Sequence, residues 1–184
     1  MLILHHDVTS PASAVAVLRL QPLADAGAHV WFAGLDVLGL AIAIPPTLDL
    51  LAELEQYRDR AAALGLELHR PSRQPPTLDC HLVGDLAEEA GVGAAWRLAT
   101  LRAYWSEDRD LSDHAELRGL GGEVGLRDVE VAARLADPAA RRGLLSRMTA
   151  QRHRGIGGVP VLEVGGAFVP ADLDDDDLAQ LAWG

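Results

Sequence analysis

Ser10-Pro11-Ala12-Ser13 lies between a short apolar run, Met1 to Leu4, and a segment with helical spacing. Proline suits a first helical turn, because its missing N–H would be unpaired there anyway. Ser10 then falls at the N-cap, among unpaired backbone N–H groups at the positive end of a helix. Such a position stabilises an anion, a thiolate in particular. Two readings of Ser10 stay open on these residues: a plain helix cap, or an anion site. A second stretch bears on the same chemistry. Gly155 to Pro160, "GIGGVP", puts a proline at the start of a strand after a glycine-rich turn. A strand's first residue tolerates proline, and an X-Pro bond in a tight turn is a candidate cis peptide. A cis bond there would offer the N–H and C=O of Val159 to an extended ligand. A trans proline would only open an edge strand.

The surrounding elements must bring these two stretches together. Residues 1–6 read as a strand, Pro11 to about Ala26 as a helix ended by Gly27, and Ala28 to Val37 as a second strand. Strand, helix and strand form a βαβ unit with parallel strands. Pro45-Pro46 mark a boundary. A helix capped by Thr47 follows, then helical segments at about 77–90, 93–105, 113–121 and 126–136, with no convincing strand between 47 and 136. Asp137-Pro138 starts a further helix that ends near Arg154. Val159 to Val164, Gly165-Gly166 and "AFVP" read as a hairpin. A last helix, about 172–182, carries Asp172 and Asp174 to Asp177 in its first turns, which suits its dipole. The expected fold is α/β: a βαβ…αββα chain with one four-stranded mixed sheet and an inserted all-helical domain. Residues 1–44 and 137–184 make the sheet domain, and 45–136 the insertion.

Composition narrows the function. The net charge of −11 argues against a nucleic-acid backbone or an anionic membrane as partner. All 16 basic residues are arginine, so no lysine can form a Schiff base. No apolar run of membrane-spanning length occurs. The N-terminus shows no basic region followed by an apolar core and a small-residue cleavage site, so the protein is read as cytoplasmic. One cysteine, Cys80, allows no internal disulfide and no cysteine-rich zinc site. No His-Glu-x-x-His arrangement occurs, and no metal is expected. Cys80 reads as a small buried apolar residue. His5 and His6 alternate along a strand, so only one can face the site; a general base is one reading, a hydrogen-bonded strand histidine the other. Trp96, Tyr104 and Trp105 read as packing for the helical block.

The ordered set of motifs resembles the DsbA-like thioredoxin-fold family, over nearly the whole chain. The family's redox members start this helix with Cys-Pro-x-Cys; here both cysteines are serine, Ser10 and Ser13. "PTLDCHLVGDLAEEAG", "RAYWSEDRDLSDHAEL" and "QRHRGIGGVPVLEVGGAFV" resemble the FrnE-like branch. His81 matches that branch's Ala-His pair, which implies a structural place at the domain interface. Thiol–disulfide exchange needs an attacking thiolate and a resolving sulfur, so dithiol activity is not expected.

Asp7 to Ser13 is also similar to the helix start of kappa-class glutathione transferases and 2-hydroxychromene-2-carboxylate isomerases. The chain departs from it at Ala12, where those enzymes carry an aromatic residue. That resemblance implies glutathione as ligand. Ser10 would hold its thiolate, with Pro11 and Ser13 beside it. Val159, before Pro160, would pair with the tripeptide backbone, and Asp172 would receive its α-amino group. Three readings follow: a thiol-binding member, a non-catalytic module for an extended peptide, and a glutathione-dependent isomerase or transferase on a small aromatic substrate. The expected partners are a small thiol or an extended peptide; the oligomeric state stays open, a homodimer being one reading.

Overall fold

The computed structural model describes residues 1–184. Its strands are β1 (Leu2–His6), β2 (Val30–Gly34), β3 (Val161–Val164) and β4 (Ala167–Pro170). They form one sheet in the order β2-β1-β3-β4. β1 pairs with β2 in parallel and with β3 antiparallel, and β3 with β4 antiparallel. The first helix, α1 (Pro11–Asp25), crosses between the parallel strands. Five helices lie between β2 and the return to the sheet: α2 (Leu48–Ala63), α3 (Leu78–Glu89), α4 (Gly93–Trp105), α5 (His114–Glu123) and α6 (Asp128–Ala136). Then come α7 (Pro138–His153) and, after the hairpin, α8 (Asp175–Trp183). This is the thioredoxin-type α/β architecture expected from the sequence.

Strand periodicity sorts the two sheet faces. Leu2 and Leu4 point to one side and join a buried cluster with Val15, Val17, Leu20 and Leu162 under α1. Val161 and Phe168 point to the other and pack with Leu144, Met148 and Ile156. The first cluster continues without a break into the helical block through Leu54, Trp96, Tyr104, Trp105 and Leu117. The insertion and the sheet therefore share one core. Trp105 is fully buried and its Nε1–H donates to Val8 O at 2.8 Å. The expected packing role of that tryptophan thus includes a direct tie to the turn before α1.

Several boundaries differ from those read in the sequence. β2 is shorter at both ends: the turn at Ala26-Gly27 is followed by Ala28 and His29 before the strand begins, and Leu35 already leaves it. α6 begins at Asp128, not near 126; Leu126 lies before it and closes the end of α5 through its N–H to Gly121 O. α8 starts at Asp175. Asp174 is its N-cap, accepting from Asp177 N at 2.8 Å, and Asp172 lies outside the helix. Ile44, before α2, and Gln74, after it, make an isolated antiparallel bridge.

Candidate functional site at the start of the first helix

The turn from β1 into α1 is held by one carboxylate. Asp7 is 1 % exposed. Its oxygens accept from Thr9 N (3.2 Å), Val37 N (2.8 Å) and Thr77 Oγ1 (3.2 Å). Its backbone C=O accepts from Ser10 N, and its N–H donates to Ser13 Oγ. Burial opposes charge on Asp7, but His81 and the N–H groups of Val37 and Thr9 outweigh it and hold its pKa below the ordinary carboxylate value. His81 Nε2 stands 3.7 Å from Asp7 Oδ1, beyond hydrogen-bond reach, so its effect is electrostatic.

Ser10 then takes extended backbone angles and caps α1, its Oγ accepting from Ser13 N at 3.1 Å. The hydroxyl hydrogen goes elsewhere. Ser10 Oγ donates to Glu53 Oε1 at 3.1 Å, and Ala12 N donates to the same oxygen at 3.2 Å. Glu53 comes from α2, which packs across α1. The anion-favouring start of α1 thus holds a carboxylate of the chain itself. Half-burial of Glu53 raises its pKa, and the bonds from Ala12 and Ser10 offset that only in part.

Beside this pair lies a cavity of about 200 Å³ whose lining includes Ala12, Arg19, Tyr57, Arg60, Pro160 and Asp172. The Val159–Pro160 bond is cis. Val159 makes no backbone hydrogen bond, so its N–H and C=O are open to a ligand. Arg60 Nη1 meets Asp172 Oδ1 at 2.8 Å, both partly exposed. Arg19 is committed to Asp175 Oδ1 (2.6 Å) and Leu173 O (2.7 Å). The wall therefore offers one cation and one anion side by side, and the unpaired Val159 immediately precedes its Pro160.

The residues singled out in the sequence divide. Ala12, Pro160 and Asp172 line the one cavity, whereas Ser10 does not and is linked to it only through Ala12, which shares Glu53 Oε1 with it. Pro11 is buried. Ser13 is 1 % exposed, and its hydroxyl accepts from Asp7 N, so it faces the protein rather than a ligand. Neither strand histidine lines this cavity. His5 is bonded to Glu163 Oε2 at 3.0 Å and to Gln151 at 3.2 Å on the opposite face. His6 packs edge-on against Phe32 and His81, and burial together with His81 pushes its pKa down to about 3. Cys80 is 2 % exposed, and burial raises its thiol far above the usual range. A larger cavity of about 720 Å³ lies on the His5 face and contains none of the α1 residues. Sequence reading missed Glu53 and Arg60; both sit on the polar side of an ordinary amphipathic helix, where nothing local marks them.

The fold and site define a thioredoxin-type protein whose helix-start thiols are hydroxyls. The chain belongs to the DSBA-like thioredoxin domain family, which matches residues 4–182. Among solved structures it is similar to a probable DsbA oxidoreductase from Streptomyces coelicolor, at 24 % identity and a TM-score of 0.83, covering 97 % of this chain and 86 % of that one. It is similar to a 2-hydroxychromene-2-carboxylate isomerase at 20 % identity and a TM-score of 0.76, over 98 % of this chain and 91 % of that one. The cytosolic disulfide reductase DsbM from Pseudomonas aeruginosa, solved with GSH, matches at 18 % identity and a TM-score of 0.66, over 97 % of this chain and 95 % of that one. No curated protein matches the chain.

Proposed function

We propose that the chain binds a small thiol, glutathione, in the cavity between α1, the Val159–Pro160 turn and α2. The observation that carries this reading is that three ligand-directed features lie in or next to one cavity, by way of its lining residues Ala12, Pro160, Arg60 and Asp172. The Ser10 and Ala12 donors face an anion, Val159 offers an unpaired peptide unit, and Arg60 and Asp172 form a paired cation and anion. The last pair suits the zwitterionic end of a γ-glutamyl group, with Asp172 toward the amine and Arg60 toward the carboxylate. Dithiol exchange has no place in this scheme, since Ser10 and Ser13 stand where the thiols would be and Cys80 is enclosed. The GSH bound to DsbM makes that ligand the first to try.

The unpaired Val159 backbone favours a second reading, a module that holds an extended peptide without chemistry. Calorimetric titration separates the two. Deleting a charge-assisted hydrogen bond costs about 1.5–3 kcal/mol, roughly a ten- to hundredfold loss of affinity. Ser10→Ala should weaken glutathione binding by that order and leave S-methylglutathione nearly unaffected. The substitution should cost the fold only about 1 kcal/mol as a lost N-cap, which thermal unfolding checks. Wild-type protein that binds neither ligand at millimolar concentration would leave the peptide reading standing alone.

A further inference from the structure

Resting on the glutathione reading, we propose that Glu53 is the proton acceptor for the incoming thiol. The carboxylate already occupies the place a thiolate would need. Its Oε1 takes both available donors, Ser10 Oγ–H at 3.1 Å and Ala12 N–H at 3.2 Å. Ser10 cannot serve two anions, because its oxygen is fixed by Ser13 N and it has a single hydrogen to give. Two negative charges on the same donors repel, and the usual result is that one of the pair takes up a proton. When the thiol arrives, its S–H bond breaks and an O–H bond forms on the Glu53 carboxylate. The negative charge moves from oxygen to sulfur, and the sulfur inherits the Ser10 and Ala12 donors. No oxidant or reductant is involved, and no proton leaves the site on loading.

The surroundings favour this exchange. Half-burial already disfavours the charged form of Glu53, and losing the Ser10 and Ala12 bonds would disfavour it further. Of the charged or ionisable groups lining the cavity, Arg60 is paired with Asp172, Arg19 with Asp175, and Tyr57 is held above its ordinary range chiefly by burial; the base bonded to Ser10 is Glu53, which adjoins the cavity through Ala12.

The test is a proton inventory. Glutathione is titrated into the protein by calorimetry at neutral pH in two buffers of different ionisation enthalpy, and the thiolate absorbance is read in parallel. Wild type should gain the thiolate band while releasing no proton to the buffer. E53Q keeps both hydrogen bonds through its amide oxygen but cannot take the proton. It should either release a full proton to the buffer or lose the thiolate band. A wild-type complex that sheds a proton as the band appears, or that shows no band, overturns the role of Glu53. S-methylglutathione locates a failure: binding of both ligands with the wrong inventory removes Glu53 alone, whereas binding of neither removes the glutathione reading with it.

Discussion

Asp7 and Glu53 are two carboxylates on opposite sides of one turn, and their surroundings differ in kind. Asp7 is enclosed, with its oxygens bonded to two N–H groups and a hydroxyl, and its pKa is held down. Glu53 is half-buried, uses one oxygen for two bonds, one of them to the cavity-lining Ala12, and has its pKa raised. A buried charge is tolerated when several donors surround it, and such a group then has no reason to exchange protons or partners. A carboxylate whose burial is only partly compensated sits closer to neutrality and can be displaced. The first arrangement fixes the backbone that presents Ser10; the second leaves Ser10 with a partner that a ligand can replace.

The comparison can be broken hardest at Asp7. Asp7→Ala strands Thr9 N and Thr77 Oγ1 in the interior and also removes the acceptor of Val37 N, nearer the surface. Each unsatisfied group costs about 1–3 kcal/mol, so denaturant unfolding should show a loss of about 3 kcal/mol or more. The sign with pH follows from the lowered pKa. The stability that ionised Asp7 contributes is complete above its ordinary value of 3.8 and is lost as pH falls through the lower folded value. Wild type and Asp7→Ala should therefore converge in stability only in strong acid. A variant as stable as wild type at neutral pH would show that the turn does not depend on this carboxylate.

A smaller loss is expected from the wall behind Asp7. A Cβ at Gly34 would stand 2.3 Å from His81 Nδ1, and His81 is held between Asp7 and His6. Gly34→Ala should cost about 1–3 kcal/mol by overpacking, read as a lower Tm. An unchanged Tm would mean that His81 moves freely and does not act on Asp7.

The smallest effect sharpens the contrast by its sign. Glu53 has a folded pKa above its ordinary 4.5, so the folded state holds the proton more tightly than the unfolded one. Its ionisation therefore takes stability away as pH rises from 4.5 through the folded value. Glu53→Gln should leave the ligand-free protein slightly more stable than wild type at neutral pH, and the difference should vanish below pH 4.5. Chemical denaturation at several pH values checks this. Destabilisation at neutral pH would place Glu53 with Asp7, as a carboxylate the fold requires charged.

Much of this protein was legible in its residues alone. The βαβ start, the helical insertion, the returning hairpin and the N-cap role of Ser10 all follow from periodicity, proline and glycine placement, and capping chemistry. These are local properties, encoded within a few residues of where they act. The proline at 160 and the serine at 10 marked the candidate site for the same reason. Tertiary structure decided what stands opposite them. Glu53 reaches Ser10 across 43 residues of chain, and Arg60 reaches Asp172 across 112. In the sequence both are charges on the polar side of α2, indistinguishable from solvated ones. Ser13 replaces a motif cysteine just as Ser10 does, yet it is enclosed and its hydroxyl accepts from Asp7 N. His5 and His6 were known to face apart, but only packing gave one to Glu163 and the other to His81. Local pattern states which side of an element is polar; which partner that side meets depends on how the helices cross, and no short window of sequence contains that.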